Sequence, residues 1–203
     1  MLIMGLIRRV PLSVTGILLA AIVICGNETS LIQQSRPLDL TGRQIEPFRA
    51  TDAKAIVFLF VRTDCPISNR YAPEVRRLHE KFAARGVTFW LVYPDRDTSV
   101  EMIRKHIKEF EYTQGVLRDP EHALVKIAGV RVTPEAAVFV PEGAERRMVY
   151  RGRIDNRYVA FGKARPAPTT HDLEAVLEAI VEGKSVTATT TPAIGCFISD
   201  LQR

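Results

Sequence analysis

Two apolar runs, 55–61 (AIVFLFV) and 87–93 (VTFWLVY), lack the alternation of a half-exposed strand. Runs of this kind suit strands buried on both faces, as in a parallel sheet. Between them the period changes. From Ser68, the residues Tyr71, Val75, Leu78 and Phe82 recur at helical spacing, Gly86 stands as a C-cap, and Pro73 predicts a kink near Arg70. A second helix is predicted over 99–110, capped by Thr98 or Ser99, and a short strand at 116–117. A third helix is predicted over 120–127, with Asp119 as N-cap and Pro120 in its first position, followed by Gly129. Segments 136–140 (AAVFV) and 147–151 (RMVYR) read as a hairpin across PEGAER. A last helix, 172–182, takes Thr170 as its cap, and 38–48 (LDLTGRQIEPF) reads as a short hairpin. Strand–helix crossovers build a parallel sheet and a terminal hairpin adds antiparallel strands, so the expected fold class is α/β, with a mixed central sheet flanked by helices.

The first thirty residues follow a different pattern. Arg8 and Arg9 precede an apolar run, 10–25, and no acid appears before Glu28. Basic, apolar and then polar is the order of an export signal, and the run falls short of the roughly 20 residues of a spanning helix. Residues 1–26 are therefore expected to be a signal peptide, or an uncleaved N-terminal membrane anchor. Cys25 sits where a lipoprotein cysteine would, but Ile24 occupies a place that calls for a small residue. The expected location is exported, periplasmic or extracytoplasmic, where thiol pairs can form and persist.

The length of 203 residues then divides into the signal, a domain over 36–183 and a C-terminal tail over 184–203. With 46% hydrophobic and 25% charged residues, the chain is neither disordered nor fibrous. Of its net charge of +5, two positive charges belong to the signal, and the remainder argues for no nucleic-acid partner. Three cysteines, Cys25, Cys65 and Cys196, form neither a zinc pattern nor a dense disulfide framework.

Cys65 follows a buried strand and precedes a helix. Unpaired N–H groups at such a place favour thiolate, the form that attacks disulfides and peroxides. Arg62 and Arg70 would add to this and Asp64 would oppose it. A buried structural cysteine is the plainer alternative. The order of strand, Cys65-Pro66-Ile67-Ser68, bent helix, then Val132-Thr133-Pro134 before AAVFV resembles the thioredoxin fold, a three-layer sandwich, over about residues 38–177. Within that superfamily the sequence is similar to the redoxin proteins of the alkyl hydroperoxide reductase and thiol-specific antioxidant family. The resemblance implies a cis bond at Thr133-Pro134 facing Cys65, thiol-dependent oxidoreductase or antioxidant activity, and no cofactor. It implies as partner a thiol or disulfide protein, or a small peroxide.

Several positions depart from the relatives. Ser68 stands where thioredoxins carry the second cysteine of Cys-x-x-Cys. Peroxiredoxins have Thr three residues before their cysteine, where this chain has Arg62; Thr63 is the nearest threonine, and the upstream Pro has no counterpart in Phe58-Leu59-Phe60. Sco-type copper chaperones pair two cysteines four apart, and residue 69 here is Asn. Two readings follow. In the first, Cys65 performs thiol exchange or peroxide reduction, Ser68 hydrogen-bonds the thiolate, Thr133 and Pro134 shape the site, Arg62 or Arg70 stabilises charge, and Cys196 or an external thiol resolves the intermediate. In the second, the fold is a redox-inactive binding module, or a Sco-like copper protein using Cys65 with His122 and His171. Cys196 is then an incidental thiol of a loose tail. His79 and His106 read as solvated helix residues, and 152–170 as a long basic loop, either bordering the site or simply connecting.

Overall fold

β1 (Ala55–Phe60) and β2 (Val87–Tyr93) lie side by side and parallel, Ala55 opposite Val87 and Phe60 opposite Val92, at the centre of a six-stranded sheet. The computed structural model describes residues 36–49, 52–143, 145–199 and 201. The export-signal reading, with Arg8, Arg9 and Cys25, lies outside the described residues. The sheet order is β3-β2-β1-β5-β6-β9, where β3 is Gly115–Arg118, β5 Glu135–Glu142, β6 Glu145–Gly152 and β9 Thr189–Thr190. β3 pairs in parallel with β2 and β9 with β6, while β5 runs antiparallel to both β1 and β6, so the sheet is mixed.

Alternate residues of β1 feed two cores, which is why the strand carries no polar position. Ala55, Val57 and Leu59 pack with Val75, Leu78 and Phe82 of α2 (Ala72–Phe82), Ile103 of α3 (Val100–Glu109) and Leu173 and Leu177 of α5 (Asp172–Val181). Ile56, Phe58 and Phe60 pack on the other face with Leu124 and Val125 of α4 (Ala123–Ala128). The three-layer α/β architecture follows. The bend expected near Arg70 separates α1 (Pro66–Arg70) from α2 at Tyr71, and a short 3-10 turn ends at Gly86 with φ 92°.

Five details differ from the sequence reading. The 38–48 hairpin is reduced to a single antiparallel bridge, Leu38 to Gln44, across the Thr41-Gly42 turn, and Leu38 also bridges the end of β3 at Arg118. α4 starts at Ala123, because 119–122 first close a turn in which the His122 N–H bonds the Asp119 carbonyl. Asp119 still caps the helix: its carboxylate accepts from the Ala123 and Val125 N–H groups at 2.8 and 2.9 Å. Thr170 does not cap α5; its hydroxyl donates to Asp172, and His171 holds the cap position. His106 is buried, not solvated. The loop after β6 has its own ladder, β7 (Tyr158–Ala160) with β8 (Lys163–Ala164), and Asn156 ties its far end by bonding both backbone and side chain of Thr169.

The C-terminal segment forms a strap that is knitted into the fold at two places. β9 joins the edge of β6, and β10 (Cys196–Phe197) pairs antiparallel with β4 (Val132–Thr133). At the first, Gly152 has φ 149°, and a Cβ there would lie 2.2 Å from the Thr191 hydroxyl and 2.3 Å from its carbonyl. Gly152→Ala is expected to lower stability by roughly 1–3 kcal/mol through this overlap, read as a lower urea midpoint. An unchanged midpoint would show that the strap is not seated at β9.

Candidate active site

The chain leaves the sheet as Val61 bonds the Val92 carbonyl, and four residues later Cys65 takes the N-cap position of α1, with Pro66 in the first turn. Cys65 is 1% exposed. Its sulfur accepts from the Ser68 N–H at 3.5 Å, and its thiol reaches the Thr133 carbonyl at 3.1 Å. Thr133 is fully buried, and the peptide bond from it to Pro134 is cis. The next residue fixes this corner: the Glu135 carboxylate turns back to accept from the Arg131 and Val132 N–H groups at 2.9 and 3.4 Å.

Cys196 arrives from the opposite side. In the β10–β4 ladder it stands across from Thr133, whose hydroxyl points to the Cys196 carbonyl at 3.5 Å. Both cysteines are free and their thiols are within hydrogen-bond reach. Gly195 makes this approach possible, since a Cβ there would fall 2.2 Å from the Thr133 carbonyl oxygen. The two thiols are pushed in opposite directions. Burial acts to raise the Cys65 pKa, but hydrogen bonds from the Cys196 thiol, the Ser68 N–H and hydroxyl, and the Cys196 N–H outweigh it, and the net shift is downward. Cys196 is pushed up to about 12 by burial, by its bond to Cys65 and by the charge of that neighbour, with Arg62 opposing. The Ser68 hydroxyl is buried beside this sulfur and makes no hydrogen bond of its own, which leaves it placed to donate when the sulfur is charged.

The remaining expected site residues are placed as follows. Arg62 forks onto Asp64 (3.1 and 2.9 Å), lies 3.4 Å from Asp95 and donates to the Phe197 carbonyl at 3.2 Å. Two carboxylates offset its charge, and it clamps β10. Arg70 is exposed at the far end of α1, in a cleft with Pro73, Arg76 and Phe110, and has no part in the Cys65 shift. The copper set is not assembled. His122 is buried with Nε2 at 3.1 Å from the Pro94 carbonyl. His171 lies beside Glu74 and Glu174, the one group of three potential ligands among the described residues, and it does not include Cys65. Arg77 and Lys81 already pair with those carboxylates.

Two features escape the sequence reading. Asn69 links the active loop to the fold: its amide donates to the Thr63 carbonyl at 3.1 Å and its oxygen meets His106, which in turn meets the Tyr93 hydroxyl at 2.8 Å. Burial lowers the His106 pKa. Only the position of Asn69 within CPISN signals this role. The other is an apolar groove of about 520 Å³ beside Cys196, lined by Val132, Phe161, Ile194 and Phe197. Phe161 and Phe197 are 67% and 78% exposed.

A mixed sheet between helices, a cysteine at a strand–helix corner and a facing cis-proline define a thioredoxin-like fold. Residues 33–150 match the family model described as AhpC/TSA, and the chain belongs to that family. No curated protein matches. Among solved structures, an uncharacterized conserved protein from Geobacillus kaustophilus is similar at 24% identity, over 84% of this chain and 92% of that one, with TM-score 0.69. A hypothetical protein from Sinorhizobium meliloti 1021 follows at 23% identity, 82% and 91% coverage and TM-score 0.67. The thioredoxin domain of a thiol-disulfide oxidoreductase from Bacteroides vulgatus gives 19% identity, 72% and 92% coverage and TM-score 0.52. These three share the fold. The family match ends before the strap that carries Cys196. Among the described residues, no helix is long and apolar enough to cross a membrane.

Because the otherwise unpartnered Ser68 hydroxyl favours the charged form of the neighbouring sulfur, Ser68→Ala, which keeps the backbone N–H, is expected to raise the midpoint of the Cys65 alkylation profile by about one pH unit. In the parent protein that midpoint lies below the value of a free thiol, so lowering the pH should slow alkylation of Cys65 less than that of free cysteine. A Cys65 midpoint at or above the free-thiol value, measured with iodoacetamide and peptide mapping, would contradict the direction of the shift.

Proposed function

We propose that the protein is an exported thiol–disulfide oxidoreductase whose redox pair is Cys65 and Cys196. The carrying observation is their juxtaposition across β4 and β10, with Cys65 favoured as thiolate and Cys196 held as thiol. The tail thereby supplies the second thiol that Ser68 does not. Export rests on the order of charge and hydropathy in residues 1–26.

In the reaction, the Cys65 thiolate attacks one sulfur of a partner protein's disulfide. The partner's S–S bond breaks, its other sulfur leaves as thiolate and takes up a proton, and a Cys65–partner disulfide forms. Cys196 then loses its proton and attacks the Cys65 sulfur. The second partner thiol leaves, and a Cys65–Cys196 disulfide remains. The partner has gained two electrons and the pair has lost them; a dithiol protein returns the pair to its reduced form. Ser68 stabilises the attacking thiolate, while Thr133 and the cis-Pro134 corner hold the surface against which it acts.

Peroxide is the weaker substrate in this reading. The residue three before Cys65 is Arg62, and its guanidinium is taken up by Asp64, Asp95 and the Phe197 carbonyl. The groove beside Cys196 is bordered by the exposed Phe161 and Phe197, the kind of apolar patch that suits contact with a protein.

The test is exchange with oxidised glutathione, followed by mass spectrometry after thiol alkylation. The parent protein should gain an intramolecular Cys65–Cys196 disulfide, whereas Cys196→Ser should stop as the Cys65–glutathione adduct and Cys65→Ser should react at least tenfold more slowly. Unmodified Cys65 in Cys196→Ser would overturn the proposal. Consumption of hydrogen peroxide faster than of glutathione disulfide would make the protein a peroxidase instead.

A further inference from the structure

Two thiols in contact do not both ionise, so exchange through Cys65 and Cys196 needs an order. In the reduced chain the Cys196 thiol donates to the Cys65 sulfur, and both that bond and the charge it serves keep the proton on Cys196. Once Cys65 is joined to a partner's sulfur it is neutral, and both influences end. What then faces Cys196 decides the second step. β4 brings the uncharged Val132 and Thr133. The loop after β1 brings Arg62 and Asp64, of opposite sign and opposite effect on this thiol. Burial separates the two: the Arg62 side chain is 18% exposed and that of Asp64 64%, so water screens the carboxylate more than the guanidinium. Arg62 is also aimed. Its Nη1 donates at 3.2 Å to the carbonyl of Phe197, the residue after Cys196, while its Nη2 meets Asp64 at 2.9 Å and lies 3.4 Å from Asp95 of the loop after β2.

We propose that Arg62 is a positioning residue of the second step: it holds the Cys196 segment by the Phe197 carbonyl and provides the positive charge beside which the Cys196 thiolate forms once Cys65 is engaged. This rests on the reading of Cys65 and Cys196 as the exchanging pair. In that step Cys196 gives its proton to water and its sulfur bonds the Cys65 sulfur. The bond from Cys65 to the partner breaks, and the partner's sulfur leaves with the electron pair and takes up a proton. The pair is oxidised and the partner reduced by two electrons. Before the first step the Cys65 charge opposes Arg62 at Cys196; after it, only the weaker, solvated Asp64 does. Arg62 therefore acts on Cys196 in the mixed disulfide and not in the resting dithiol, and the two thiols ionise in turn.

The experiment follows both steps in the full-length reduced protein. Oxidised glutathione is added across a pH series, the reaction is stopped with acid at intervals, and mass after alkylation separates the Cys65–glutathione adduct from the closed Cys65–Cys196 disulfide. Arg62→Gln keeps a donor for the Phe197 carbonyl and removes the charge. Its rate of closure relative to adduct formation is expected to fall about tenfold at neutral pH, with the midpoint of closure raised by about one pH unit. Arg62→Lys, which keeps the charge, should bring the midpoint back to that of the parent. Asp64→Asn, at an exposed side chain, should lower it, because the charge opposing Arg62 is gone. A tether acting through the backbone alone would slow closure equally at every pH. An unmoved midpoint in Arg62→Gln therefore overturns the proposal, as does one that Arg62→Lys fails to restore. Should Arg62→Gln fail to fold, Asp64→Asn carries the test, and an unmoved or raised midpoint there overturns it. A parent that forms the adduct and never closes overturns the Cys65–Cys196 pair itself, whereas a parent that closes with a midpoint indifferent to both charges overturns only the role of Arg62.

Discussion

A two-residue backbone ladder between β10 and β4 governs what Cys65 can do. A buried thiol by itself is inert, because burial disfavours its charged form. Here donors from two directions reverse that effect: the first turn of α1 supplies Ser68, and the strap supplies the Cys196 thiol and N–H. Only the first set belongs to the α/β framework. The second exists because Thr133 offers its free edge and Gly195 lets a backbone come within contact of the carbonyl. Remove the ladder, and the site keeps its corner and its cis-proline but loses its second thiol.

The framework around this ladder is built so that the corner cannot drift. β1 places its C-terminal end between two full cores, and the Val61–Val92 bond holds the chain until just before it turns. Asn69 then ties the loop to His106 and Tyr93. Glu135 does the corresponding work on the other wall by occupying the amides of Arg131 and Val132. Arg62 belongs to neither wall: bound to Asp64, Asp95 and the Phe197 carbonyl, it joins the loop to the strap. Its charge is therefore directed more to holding β10 than to polarising a substrate.

Legibility in the sequence followed the length scale of each signal. β1, β2 and α2 declare themselves because their apolar positions repeat over several residues, and Gly86 closes its helix as capping rules require. Cys65, Ser68, Thr133 and Pro134 are found from spacing and resemblance, since they sit at fixed offsets from those elements. α4 starts three residues later than its pattern predicts because Asp119 caps it across a turn. His106 reads as solvated from the sequence because one polar residue on an amphipathic helix looks the same whether it meets water or a buried Tyr93 and Asn69. Cys196 is legible as a candidate second thiol but not in its pairing: a strand of two residues has no period, and its partner Thr133 is far along the chain. The glycine before it reads as local freedom, whereas its role is to admit a carbonyl.

The strap is held at both ends by ladders of two residues, β9 on β6 and β10 on β4. β9 is anchored on β6 at Thr189–Thr190, and Thr191, Pro192, Ala193, Ile194 and Gly195 lead from it to Cys196. Such a tether spans at most roughly 20 Å at 3.3–3.6 Å per residue. A released β10 therefore never leaves the neighbourhood of β4, and short tethers of this kind hold their ends at effective concentrations on the order of millimolar. Cys196 is therefore presented to the Cys65 corner from a standing local supply. A free thiol in solution would have to exceed that concentration to take the place of Cys196 beside Cys65.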